Sequence, residues 1–151
     1  MRDISTVAAL ILLGSGAYAQ PAEEAFARLL TVRSLRCELG AGTQASWDSG
    51  SLKLERSAFG EGAKVTFDSI DTKAGKARLI GTQGAGDVQV LLTVAGLTFI
   101  EQTAFGNLNF TTVFSKFDSA VSRRFIAVAS RHQNINGPFP SQYHGTCSVL
   151  E

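Results

Sequence analysis

The chain has 151 residues, 44% of them hydrophobic, and its 14 basic and 13 acidic side chains leave a net charge of +1. That length suits one domain with a proper core, and scattered basic residues at near-neutral charge exclude the electrostatic footprint of a nucleic-acid binder. Two cysteines, Cys37 and Cys147, are too few for a disulfide-dense miniature fold or a cysteine metal cluster.

The chain opens on Met1-Arg2, a short basic start, followed by the apolar run Val7 to Leu13 and the small residues Ala17 and Ala19 at cleavage-site positions. This pattern predicts a secretory signal peptide over residues 1–19, cut between Ala19 and Gln20, and a protein that works in the periplasm or is secreted. The run is too short to span a bilayer, and the later segment Val88 to Ile100 is interrupted by Gln89, Thr93, Gly96 and Thr98. No membrane insertion is therefore expected after cleavage. In an oxidising compartment Cys37 and Cys147 are expected to form one structural disulfide. It would close a loop of about 110 residues, for which chain entropy gives about 4–5 kcal/mol as an upper figure.

Residues 20–34 read as a short helix and linker. Pro21 suits a first turn, Glu23 and Glu24 favour the positive helix end, and Phe26 and Leu29 belong to an apolar stripe expected to cover a barrel mouth or an open edge. From Leu35 the helix signals stop, and residues 35–151 read as a β domain of short strands separated by Gly, Asn, Asp and Ser. The strands fall at Leu35–Ser46, Leu52–Ser57, Lys64–Asp71, Ala77–Gly81, Asp87–Val94, Leu97–Thr103, Leu108–Phe114, Phe125–His132 and Tyr143–Leu150. Eight or nine antiparallel strands with mostly short turns curl shut or split into two layers. The expected fold is all-β, an antiparallel meander barrel of about eight strands with a short N-terminal helix, and a β-sandwich is the alternative. A disulfide joining the first and last strands is the pairing that closes such a barrel.

The densest polar cluster is Ser130-Arg131-His132 together with Pro138-Phe139-Pro140-Ser141-Gln142-Tyr143-His144, and it holds both histidines. Asn136-Gly137-Pro138-Phe139-Pro140 reads as the one Pro-rich loop, held by side-chain hydrogen bonds, and the wider loop Asn134–Gln142 is the expected contact for an envelope protein. Arg131, His132, Gln142 and Tyr143 are the candidate binding residues, with Arg131 on the strand face opposite Ser130 and His132. No catalytic set is assigned, since Ser130 and His132 sit on one strand face and no G-x-S-x-G is present. Two histidines on different elements supply no zinc spacing, so no metal and no cofactor is expected. Gly81-Thr82-Gln83-Gly84-Ala85-Gly86 lacks the Lys-Ser/Thr of a phosphate loop and reads as a hairpin connection. Asn109-Phe110-Thr111 matches a glycosylation sequon inside a strand. Glu101 shares the face of Leu97 and Phe99 and is read as solvated; an interior Glu101 would need a partner such as Arg78 or Arg131. Trp47 is expected to plug one end of the barrel.

The segments Phe67-Asp68-Ser69-Ile70-Asp71, Leu97-Thr98-Phe99-Ile100-Glu101, Ser130-Arg131-His132 and Pro140 to Cys147 resemble those of a group of small exported proteins of Gram-negative bacteria that carry no established activity. The chain is also similar to periplasmic lysozyme inhibitors, which implies a small antiparallel barrel with cysteines at both ends. Their serine- and glycine-rich inhibitory loop has no counterpart here. The functional expectation is a non-enzymatic binding protein that contacts another envelope or extracellular protein, with a small apolar ligand in the barrel as the alternative.

Overall fold

The computed structural model describes residues 21–60, 64–82, 84–134 and 136–150. The signal peptide and its cleavage point at Ala19/Gln20 lie outside the described residues. One helix, α1 (Pro21–Thr31), precedes nine strands: β1 (Leu35–Asp48), β2 (Ser51–Ala58), β3 (Lys64–Asp71), β4 (Lys76–Gly81), β5 (Gly84–Thr93), β6 (Gly96–Gln102), β7 (Leu108–Phe117), β8 (Phe125–Asn134) and β9 (Pro138–Val149). No helix among the described residues is long and apolar enough to cross a membrane.

All neighbouring strands are antiparallel, and β9 returns to pair with β1, so eight strands close a barrel with β2 as an extra strand on its outside edge. Closure removes the exposed edges that an open sheet of this size would leave. The barrel expectation holds and the sandwich does not.

The seam is fixed covalently. Cys37 and Cys147 lie directly opposite each other in the β1–β9 register, both fully buried, and are joined by a disulfide.

One strand edge serves two partners. Leu35 to Glu38 of β1 pair with β3, whereas Ala41 to Asp48 pair with β2 on the same side. The register of β1 against β9 shifts between Leu39 and Gly42, a bulge that turns the later half of β1 out of the barrel wall. The turn at Ser49 and Gly50, φ 50° and 81°, has both central residues left-handed, as a two-residue hairpin of this twist requires. The β1–β2 ribbon is thus an extension beyond the barrel.

Trp47 rides on that ribbon and is 48% exposed, so it plugs nothing. A lone tryptophan next to a turn aspartate gives no indication that its strand leaves the core.

The helix end of the barrel is sealed. Ala25, Leu29 and Val32, spaced four and three apart, form the buried stripe and join the core with Leu35, Leu97, Val113 and Phe125. Leu29 covers the barrel as expected, but Phe26 is only half-buried and Ala25 and Val32 take its part. The linker after α1 is strapped down on two sides. Arg33 accepts the Ile70 N–H at 3.1 Å and donates its guanidinium to the Ile70 carbonyl at 2.9 Å, while Ser34 accepts the Leu150 N–H at 3.0 Å.

The region expected to be a Pro-rich loop is strand. β8 runs to Asn134 and β9 starts at Pro138. Pro138 and Pro140 pair only with β8, because pairing of β9 with β1 begins at Ser141. A proline lacks the N–H a ladder needs, and a strand segment with one free edge tolerates that loss.

Candidate functional site at the barrel mouth

Opposite α1 the barrel is open, and a cavity of about 590 Å³ enters it. Its floor is apolar: the Phe67 and Phe99 rings stack at 3.8 Å, with Val65, Leu79 and Val88 around them. One lip is the β4–β5 connection, where Gly81, Gly84, Ala85 and Gly86 present almost no side chain. As expected, that glycine cluster is a hairpin connection, with Gly81 paired to Gly84.

The other wall is polar, and register explains it. Glu101 faces Asn109, Asn109 faces Arg131, and Arg131 faces Ser141 across consecutive strand pairs. Directly opposed residues share a face, so these four side chains form one inward arc spanning β6 to β9. Asn109 donates its amide to the Glu101 carboxylate at 2.7 Å. The Asn109 Oδ1 and Ser141 Oγ atoms are buried without a hydrogen-bond partner among the described residues. Such orphans are rare in native interiors and ask for a donor.

Glu101 therefore points into the barrel mouth, half-buried, and its partner is Asn109. Arg78, the cation offered for it, instead grips Asp68 through two hydrogen bonds of 2.9 and 2.7 Å. That contact holds the Asp68 carboxyl below its ordinary range. Asn109, the residue of the sequon match, is turned inward and committed to Glu101.

Arg131 is the cation of the cup. Its guanidinium lies over the Phe59 ring at 4.2 Å and near Tyr143 at 5.5 Å, and the two rings meet edge to face at 5.2 Å. Phe59 is held by its N–H on the Gly40 carbonyl at 3.0 Å. Tyr143 packs where β1 has Gly42; a Cβ there would sit 2.6 Å from the Tyr143 ring and 2.0 Å from the Gln142 carbonyl oxygen. Glycine at 42 is what lets the ring lie against the backbone and support Arg131. Among the described residues the guanidinium makes neither an ion pair nor a hydrogen bond, whereas Lys64, also at the rim, is paired with Glu38 at 2.9 Å.

The four candidate binding residues divide by strand parity. Arg131 and Tyr143 face the cup. His132 and Gln142 face outwards: the His132 ring meets Phe110 edge to face at 5.4 Å, and Gln142 donates to the Ser130 hydroxyl at 3.3 Å. The Ser130 and His132 side chains share the outward parity, and among the described residues neither side chain hydrogen-bonds to Pro138–Pro140. Phe59, Glu101 and Asn109 complete the site. The one signal for them in the sequence was a carboxylate on an otherwise apolar strand face.

No protein-family model matches the chain, and a search of curated proteins finds no match.

Proposed function

We propose that this protein is an exported, non-enzymatic barrel that holds a small organic anion in its open end. The carrying observation is Arg131, braced by Phe59 and Tyr143 and turned into the cup without a carboxylate partner among the described residues. A guanidinium offers a planar fork of donors suited to a carboxylate. Glu101, further along the same arc and lining the cavity, accepts from a hydroxyl or amine on the ligand. The Phe67–Phe99 floor takes an apolar portion. A cavity of about 590 Å³ is of the size that small-molecule sites occupy. A purely apolar ligand would leave the charged arc desolvated and unpaired, which disfavours it.

Contact with an envelope protein through Asn134–Gln142 has less support, because the candidate residues point to opposite faces of the barrel wall. Holding is preferred to catalysis because the cup gathers Glu101, Asn109 and Arg131 while His132 lies outside it. Export to the periplasm is supported by the signal-like N-terminus, and the buried disulfide is consistent with an oxidising compartment.

Calorimetric titration with 3-hydroxydecanoate, decanoate and decanol tests the ligand chemistry. The expected order of affinity is hydroxy acid, acid, alcohol, with Arg131→Ala abolishing the preference for the acids. Equal affinity for decanol and decanoate would remove Arg131 from the site.

A further inference from the structure

The β1–β2 ribbon carries an apolar face that nothing in the barrel covers. Trp47 pairs with Leu52 and Ala45 with Leu54 across the ribbon, so all four share its outer face. Leu52 is 54% exposed and Leu54 72%. The free edge of β2 adds a second unmet demand. β2 ends the strand order, runs eight residues in unbroken register with β1, and contains neither proline nor bulge. Such an edge is a template for another strand.

The edge is also self-complementary. Asp48 and Ser51 flank a two-residue turn, so they and every second pair beyond exchange backbone bonds within the hairpin. Residues Ser51, Lys53, Glu55 and Ser57 thus spend their amides on β1, while Leu52, Leu54 and Arg56 direct theirs to the open side. An antiparallel copy centred on Leu54 places Leu54 opposite Leu54 and Leu52 opposite Arg56, both in bonding phase. It also sets Lys53 opposite Glu55 twice, once on each side of the axis. One register satisfies hydrogen bonding, sets Leu54 against Leu54, and adds an opposite charge to Lys53, whose partner in its own chain is Asp48.

We propose that β2 pairs edge to edge with β2 of a second copy of this chain, about a twofold axis through Leu54. The result is an isologous dimer with one sheet continuous across both ribbons. It is independent of what the cup binds.

Sedimentation equilibrium of the oxidised protein tests it. The wild type is expected to be a dimer; Glu55→Lys, which sets ammonium groups opposite each other, is expected to be a monomer. The paired exchange Lys53→Glu with Glu55→Lys restores the opposite charges and should restore the dimer. Leu54→Cys should crosslink two copies, because bonded pairs on an axis bring Cα atoms to about 5.5 Å, within disulfide reach. Leu52→Cys, more than about 13 Å from its own symmetry mate, should not. A monomeric wild type, a Glu55→Lys variant as dimeric as wild type, or equal crosslinking at both positions overturns the proposal. Unchanged circular dichroism of each variant excludes unfolding as the cause.

Discussion

Asn109 donates its side-chain amide to the Glu101 carboxylate across the β6–β7 pair, inside the barrel and 2.7 Å away. Two polar residues on strands whose inner faces also carry Leu97, Phe99, Thr111 and Val113 meet because they are directly opposed. Replacing Asn109 by Asp sets two carboxylates against each other. Two carboxylates at that distance repel, and protonation of either relieves the repulsion. Asn109→Asp is expected to lower the melting temperature at pH 7, with the deficit shrinking as the pH falls towards about 5. A deficit that grows on acidification would contradict the contact. Asn109→Ala, which strips Glu101 of its donor, is expected to cost about 1–3 kcal/mol in urea unfolding.

Removing the seam bond tests how far closure depends on it. The paired variant Cys37→Ala and Cys147→Ala is expected to lose up to about 4–5 kcal/mol of unfolding free energy, the chain-entropy figure for a loop of this length. The eight-stranded barrel should persist, since β1 and β9 pair from Leu35 to Gln44 as well as at the cysteines. A variant that unfolds at room temperature would show that the bond, and not the ladder, holds the barrel shut.

Phe99 is 1% exposed and stacks on Phe67 beneath the cup. Phe99→Ala is expected to cost about 3–5 kcal/mol and to deepen the cavity. Xenon binding measured by NMR would detect the added apolar space. A loss below about 1 kcal/mol would mean that the floor collapses to fill the gap.

Acid stability follows from four carboxylates held below their ordinary ranges. Arg78 lowers Asp68, the Ala74 and Lys73 N–H groups lower Asp71, the Ser122 hydroxyl lowers Asp118, and Lys64 lowers Glu38. A depressed carboxyl contributes stability that is complete above its unfolded value and is lost as the pH falls through the folded one. Melting temperature should be level from neutrality to about pH 5 and fall below about pH 4. Asp71→Asn keeps an acceptor for the turn and removes its titration, so its acid limb should be shallower. A melting temperature that rises between pH 5 and 3 would reverse the assignment.

Strand positions were legible in the sequence because period-two alternation and turn residues bound each strand; β3 ends at Asp71, where the expected strand ends. The disulfide and barrel closure followed from cysteines on the first and last strands. Alternation says which residues share a face, but not which face is interior, and Glu101 was misplaced for that reason. Pro138 and Pro140 argued for a loop, because only the shorter reach of β1 reveals that one edge of β9 is free there. Arg131 was separable from His132 by parity alone. Phe59 and Asn109 were not recognisable as its neighbours, since they lie 72 and 22 positions away in the chain; Asn109 meets it through strand register and Phe59 from just beyond β2.

The β1–β9 seam also sets an order of events in time. β1 is made first among the strands and needs β9, the ninth, on its edge; until then its backbone groups wait for a partner about a hundred residues downstream. Long-range pairing of this kind is slow to nucleate. The correct bond cannot form before Cys147 has emerged, and with one cysteine pair no wrong intramolecular bond can form ahead of it. Oxidation of Cys37 within the monomer therefore marks the moment at which the whole β domain has arrived and can shut.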